Sequence, residues 1–172
     1  MIPTYTTSIR QSIIENFFAN NLVIALISRP SLGITDTPTA AQLAARQALN
    51  MTDIFNAEIG AVQLNGYHRN IVSSGDVNVI VIDTETSEAE ITVTFTADGG
   101  TMDSFSHIVA IRSADLTGAD PVLNGNNRGS TLGEIIFVEP VNNAASPGSA
   151  LSLSDGTSFD YTFKLISSAE AI

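Results

Sequence analysis

The chain contains no cysteine and no tryptophan, and its only lysine is Lys164. Without thiols there is no disulfide, no thiolate nucleophile and no cysteine-based metal site, and the redox compartment stays open. With aromatics at 6% and no Trp, core and interface contacts must come mainly from Ile, Val, Leu, Ala and the 8 Phe. Basic residues are scarce: 7 Lys and Arg stand against 18 Asp and Glu, a net charge of −11. The arginines, at positions 10, 29, 46, 69, 112 and 128, trace no stripe. Nucleic acids and anionic membranes are held by clustered basic side chains, so neither is an expected partner. The longest apolar run, residues 22–27, falls far short of the ~20 residues of a membrane span. The opening MIPTYTTSIRQSII lacks a basic stretch followed by an apolar one, so no standard secretion signal is expected.

What is present is alternation. Residues 157–166 (TSFDYTFKLI) place Phe159, Tyr161, Phe163 and Leu165 at every second position. Residues 77–82, 88–96, 104–112 and 132–139, and the pair Leu151 and Leu153, are similar β-branched and apolar runs. A period of two buries one face of a strand and wets the other. Gly, Asn and Asp turns between such runs favour antiparallel pairing. The expected fold is mainly β, an antiparallel sandwich-like core over residues 66–172, with an N-terminal helix and a helical insertion. At 172 residues the chain is expected to form a single domain.

Residues 1–28 should supply a helix over 6–19, with Ile9, Ile13, Ile14, Phe17 and Phe18 spaced along one face. Thr7 or Ser8 can cap its start and Asn20–Asn21 can end it. The strand NLVIALIS follows, stopped by Arg29–Pro30. Ile13, Phe17 and Phe18 are expected to pack on the chain's own sheet or on a neighbouring subunit. In residues 29–65, Thr37–Pro38 is a helix start and 39–51 favours helix by propensity. Residues 52–57 either continue that helix or open a new turn. The apolar pattern here is less regular, so this segment is expected to open easily and dock onto a neighbour.

Chemistry-bearing patterns are thin. His68 and His107 could in principle share a metal with Asp103 or Glu134, but neither belongs to a spaced ligand pair. No Gly-x-Ser-x-Gly elbow surrounds a serine. The acids Asp83, Glu85, Glu88 and Glu90 read as a solvated hairpin tip rather than a calcium loop or a glycosidase pair. The glycine runs at 98–100 and 125–129 lie between strands and read as turns, because a phosphate loop needs a helix after it. Asn50-Met51-Thr52 matches a glycosylation acceptor but sits in or beside a helix. No catalytic residue, metal or cofactor is expected. The element Gly66-Tyr67-His68-Arg69 has two readings. Tyr67 and Arg69 are either an anchor, a ring on the core edge and a guanidinium paired with an acid, or part of a subunit interface.

The pieces SIRQSIIENFF, NLVIALISRPS, NGYHRN, FSHIVAIRSADL, GSTLGEIIFVEPV and SLSDGTSFDYTF, in this order, resemble a family of small structural proteins of tailed bacteriophages, tail-fibre or minor tail proteins. The likeness spans most of the chain and departs at 38–57, where a shorter glycine-rich loop is expected. It implies a non-enzymatic virion protein, assembled in the host cytoplasm, that works as a fibre, baseplate or collar component of the tail. Its implied partners are itself, as a homo-oligomer expected to be a trimer, and other virion proteins. A capsid cement or decoration protein is the alternative, fitting a compact acidic chain without a fibrous stretch. A carbohydrate-binding module ranks lower, since it needs exposed aromatics on one face.

Overall fold

The computed structural model describes residues 7–18, 22–34, 37–59, 67–73, 79–81, 86–112, 134–141 and 149–168. The fold is mainly β. In chain order the elements are α1 (Thr7–Phe17), β1 (Leu22–Ile27), a 3₁₀ turn (Pro30–Leu32), α2 (Ala40–Gln47), α3 (Met51–Ala57), β2 (Asn70–Val72), β3 (Val79–Val81), β4 (Thr86–Thr96), β5 (Met102–Phe105), β6 (His107–Arg112), β7 (Glu134–Pro140), β8 (Leu151–Leu153) and β9 (Ser158–Ser168). The sheets are antiparallel, with strand orders β2-β1-β6-β7, β3-β4-β9 and β5-β8.

β1 is the centre of the molecule. It has no polar residue, and all of it is buried, because both faces of its sheet are covered. Successive side chains of a strand point to opposite faces. On one face Leu22, Ile24 and Leu26, with Ile108 and Ala110 of β6, meet the inward row of β4: Ala89, Ile91, Val93 and Phe95. The half-buried Phe159, Tyr161, Phe163 and Leu165 of β9 pack against the same cluster. On the other face Val23, Ala25, Ile27, Val109 and Ile111 meet Leu32 of the 3₁₀ turn and Met51 and Ile54 of α3.

That second core narrows the reading of residues 29–65 as a loosely held docking segment, because the 3₁₀ turn and α3 are packed on the sheet. Leu32, Met51 and Ile54 are part of the chain's own interior, whereas α2 has no buried residue and leaves Leu43 exposed. Arg46 clamps the segment, donating from Nε to the Leu32 carbonyl at 3.0 Å and from Nη2 to the Gly33 carbonyl at 2.7 Å. Gly33 stands at φ 82°, where a side chain would be strained, and an added Cβ would lie 2.6 Å from Gln42. The helix starts also differ from expectation. Thr39, not Thr37, caps α2, through a reciprocal capping box with Gln42. Asn50 and Asp53 form a second box, so α3 is a new helix rather than a continuation.

Three strand expectations are refined. The run at 104–112 is broken at Ser106, where the chain passes from β5, paired with β8, into β6, paired with β1 and β7. Glu88 and Glu90 are not at a hairpin tip. They flank Lys164 across the β4–β9 ladder, each 2.8 Å from its Nζ; Asp83 and Glu85 lie outside the described residues. Residues 98–100 do form a turn, in which the Gly99 and Gly100 amides donate to Asp155 Oδ1 at 2.9 and 3.2 Å. The 125–129 run lies outside the described residues.

The helix α1 begins at Thr7, so Thr7 and Ser8 are in its first turn rather than at its cap. It lies on β3, β4 and β9. Ile14 and Phe18 are its buried pair, at 0% and 1% exposure. Ile13, expected to pack, is 45% exposed, and Ile9 is 47% exposed. The buried face is thus turned from the expected one, with Ile14 in the place given to Ile13.

Candidate functional site

The strand β1 is longer than its neighbour. β2 pairs only with Leu22, Val23 and Ile24, so the Leu26 amide and carbonyl on that edge need other partners. A buried backbone group left without one costs roughly 1–3 kcal/mol. The Ile59 amide donates to the Leu26 carbonyl at 3.1 Å. The Leu26 amide donates to the Tyr67 hydroxyl at 3.0 Å. Tyr67 therefore substitutes for a strand that has ended.

Its hydroxyl hydrogen goes to Glu58 Oε1, 2.9 Å away. Glu58 follows α3 and bridges to Ile27 through its backbone. Arg69 donates to the same carboxylate through both arms of its fork, Nε to Oε1 at 2.8 Å and Nη2 to Oε2 at 2.6 Å. The extended backbone at 67–69 turns Tyr67 and Arg69 inward and leaves His68 exposed. The Tyr67 ring stacks on Phe95, with centroids 6.2 Å apart and planes 13° apart. All three polar groups are buried, Glu58 to 5%, Tyr67 to 4% and Arg69 to 4% exposure.

The electrostatics follow from that burial. Loss of water pushes the Tyr67 hydroxyl well above its usual range, and the Glu58 charge beside it pushes the same way. For Arg69, burial opposes the charge, but the hydrogen bonds and charge of Glu58 outweigh it and the net shift is upward. The tyrosine stays protonated and the arginine stays charged. The geometry is that of an internal strut: one carboxylate ties the end of α3, the β1 edge and residues 67–69 together. Of the two readings of Tyr67 and Arg69, the anchor describes what the structure shows, and burial inside the protomer corrects their assignment to a subunit contact.

A second polar cluster surrounds His107. Its Nε2 lies 2.9 Å from the Gly33 carbonyl, which can only accept, so Nε2 carries the hydrogen. Its Nδ1 then accepts from the Ser106 hydroxyl at 2.9 Å, and the Ser106 oxygen accepts from the Arg29 amide at 2.7 Å. Burial depresses the His107 pKa below its usual 6.5, and the nearby Arg46 charge adds to this. A depressed histidine pKa means that the unfolded chain takes up a proton before the folded one does. Stability is therefore fully present above about pH 6.5 and declines as pH falls toward the lowered folded value. Melting temperature should drop between pH 7 and pH 5.5, and His107→Gln should flatten that slope. An equal slope in the variant would remove His107 as its cause.

The remaining site residues are dispersed. Phe18 is in the core, so of its two expected placements it takes the one on the chain's own sheet rather than the one in a subunit interface. Phe17 is half-buried, with the Arg112 guanidinium 4.8 Å from its ring centroid. Ile13 is on the surface of α1. Asp103 is exposed and Glu134 pairs with Arg112 at 3.5 Å. Among the described residues, no three His, Cys, Asp or Glu side chains converge on a common point. A shallow groove of about 300 Å³ lies between α2 and β7, lined by Leu43, Arg46, Leu49 and residues 135–138. Arg46, its charged group, is held by the Leu32 and Gly33 carbonyls.

Sequence reasoning missed Glu58, Ser106 and Asn50 as polar keystones. For Asn50 a signal existed, the Asn-x-x-Asp spacing of a helix start. For Glu58 the signal was weaker, a lone acid between the apolar Ile54 and Ile59. No protein family, no curated protein and no solved structure matches this chain.

Proposed function

We propose that the protein is a non-enzymatic structural subunit of a tailed-phage virion, a tail component that works through protein–protein contacts. The observation that carries the reading is where its reactive groups sit. The two polar clusters that could look catalytic, Glu58–Tyr67–Arg69 and Ser106–His107, are buried and bonded to backbone as struts. What the described surface offers outward is the stuff of contacts. There is an exposed ladder of paired side chains on β4 and β9, Thr92 with Thr162, Thr94 with Asp160 and Thr96 with Ser158. There are also the exposed apolar side chains Ile9, Ile13, Leu43 and Ile166. The proposed placement in the tail rests on the resemblance of the chain's segments, in order, to tail-fibre and minor tail proteins.

The test is location. Antibody against the purified protein should label the tail of particles from the phage that encodes it, seen by negative-stain microscopy. Label on the head would transfer the protein to the capsid cement role. Protein found only in the soluble fraction of the lysate, with no particle label, would overturn both.

A further inference from the structure

The strand β9 is 11 residues long and pairs with β4 from Thr86↔Ser168 to Thr96↔Ser158 without a register shift. Among the described residues no strand pairs with its other edge. It carries no proline and no bulge, two of the devices that blunt an edge, and the charge of its one lysine, Lys164, is matched by Glu88 and Glu90 of β4. Its inward residues Phe159, Tyr161, Phe163 and Leu165 are only half-buried, although they pack on the main core. Toward β7 they form an aromatic seam. Phe137 stands 6.4 Å from Tyr161 and 5.5 Å from Phe163, and the Tyr161 hydroxyl donates to Glu139.

The sequence of this edge complements itself. About Thr162, Tyr161 mirrors Phe163, Asp160 mirrors Lys164 and Phe159 mirrors Leu165. Directly opposed residues in an antiparallel pair share a face of the sheet. A two-fold axis at Thr162 would therefore set Asp160 against the partner's Lys164 twice, on the outer face. On the inner face it would set aromatic against aromatic and Phe159 against the partner's Leu165. Lys164 is 49% exposed at its side chain and already bridges Glu88 and Glu90. An ammonium has three hydrogens, so one remains for a carboxylate across the edge. Asp160 accepts from Thr94 through Oδ1 and has acceptor capacity left.

We infer that the β9 edge is a homodimer interface, in which β9 of a second copy adds antiparallel about Thr162 and fuses two three-stranded sheets into one of six. Such a contact is isologous: the same surface serves both subunits and closes at two. A trimer, the oligomer expected above, requires two different surfaces and cannot be built from this edge alone. The inference rests on geometry and stands apart from the virion reading. Its failure would leave the labelling result untouched, and the reverse also holds.

Light scattering and sedimentation of the purified chain should give twice 18.1 kDa at micromolar concentration. The chain has no cysteine, so Thr162→Cys introduces a single thiol. Under mild oxidation it should cross-link to a dimer, because facing β-carbons at a two-fold lie near disulfide range. Thr92→Cys, one strand inward, should not. Asp160→Lys puts like charges opposite each other twice and should weaken association about tenfold. Mixed with Lys164→Asp it should form a one-to-one heterodimer. A strict monomer would leave the edge to another protein's strand and overturn the proposal. So would a trimer as the sole species, or a dimer in which Thr162→Cys stays uncross-linked.

Discussion

Arg69→Ala should lower the melting temperature by on the order of 10 °C, among the largest losses any single substitution outside the apolar core can cause here. The substitution leaves the Glu58 carboxylate in the interior without the guanidinium that holds both its oxygens. Breaking a buried pair on one side typically costs ~3–5 kcal/mol, a large share of the ~5–15 kcal/mol that holds a domain folded. Arg69→Lys should rescue little, because an ammonium cannot reproduce the two parallel bonds. Replacing both partners, Glu58→Leu with Arg69→Met, should recover most of the loss, since apolar pairs of similar size often match a buried ion pair. Tyr67→Phe is a separate case. It strips the Leu26 amide of its acceptor and should cost ~1–3 kcal/mol. Thermal unfolding of the four variants checks the set. A melting curve for Arg69→Ala that overlays the parent would mean that the strut carries no load.

Phe18→Ala should be as damaging, and Ile13→Ala nearly silent. Phe18 is 1% exposed and joins Ile14 in the main core, whereas Ile13 is 45% exposed on the same helix. Truncating a buried Phe costs ~3–5 kcal/mol; a surface substitution away from special features stays within ~0.5 kcal/mol. Phe17→Ala should fall between, since the ring is half-buried and loses its contact with Arg112. Denaturant titrations of the three variants would order them. Equal losses for Ile13 and Phe18 would mean that α1 presents a different face to the sheet.

These contrasts show where sequence was informative. β4 was legible because it is buried on one face only, so Ile91, Val93 and Phe95 alternate cleanly with threonines. β1 was legible as an unbroken apolar run between an asparagine pair and a proline. The face of α1 was not, because Ile9, Ile13 and Phe17 form one row at helical spacing and Ile14 and Phe18 another. Local periodicity permits either, and only the sheet beneath selects. The break at Ser106 was hidden for a similar reason. SFSHIVAIR alternates straight through it, while the interruption comes from the Ile27 carbonyl, which takes the Ser106 amide at 2.9 Å from 79 residues away. The Glu58 strut likewise joins three separate stretches of chain, and no window of sequence contains them all.

The long β4–β9 ladder has a kinetic side. Its nearest paired residues, Thr96 and Ser158, are 62 positions apart, and the central sheet joins β1 to β6 across a comparable span. Folds governed by such distant pairings close large loops before any reward arrives, and they fold in milliseconds to seconds rather than microseconds. During synthesis β4 emerges well before β9, with its Ile91, Val93 and Phe95 row as yet uncovered. An arrest of translation within that interval would release a chain with a sticky, half-made sheet, so yield of intact protein should respond to chaperone supply more than a helical protein of equal size would.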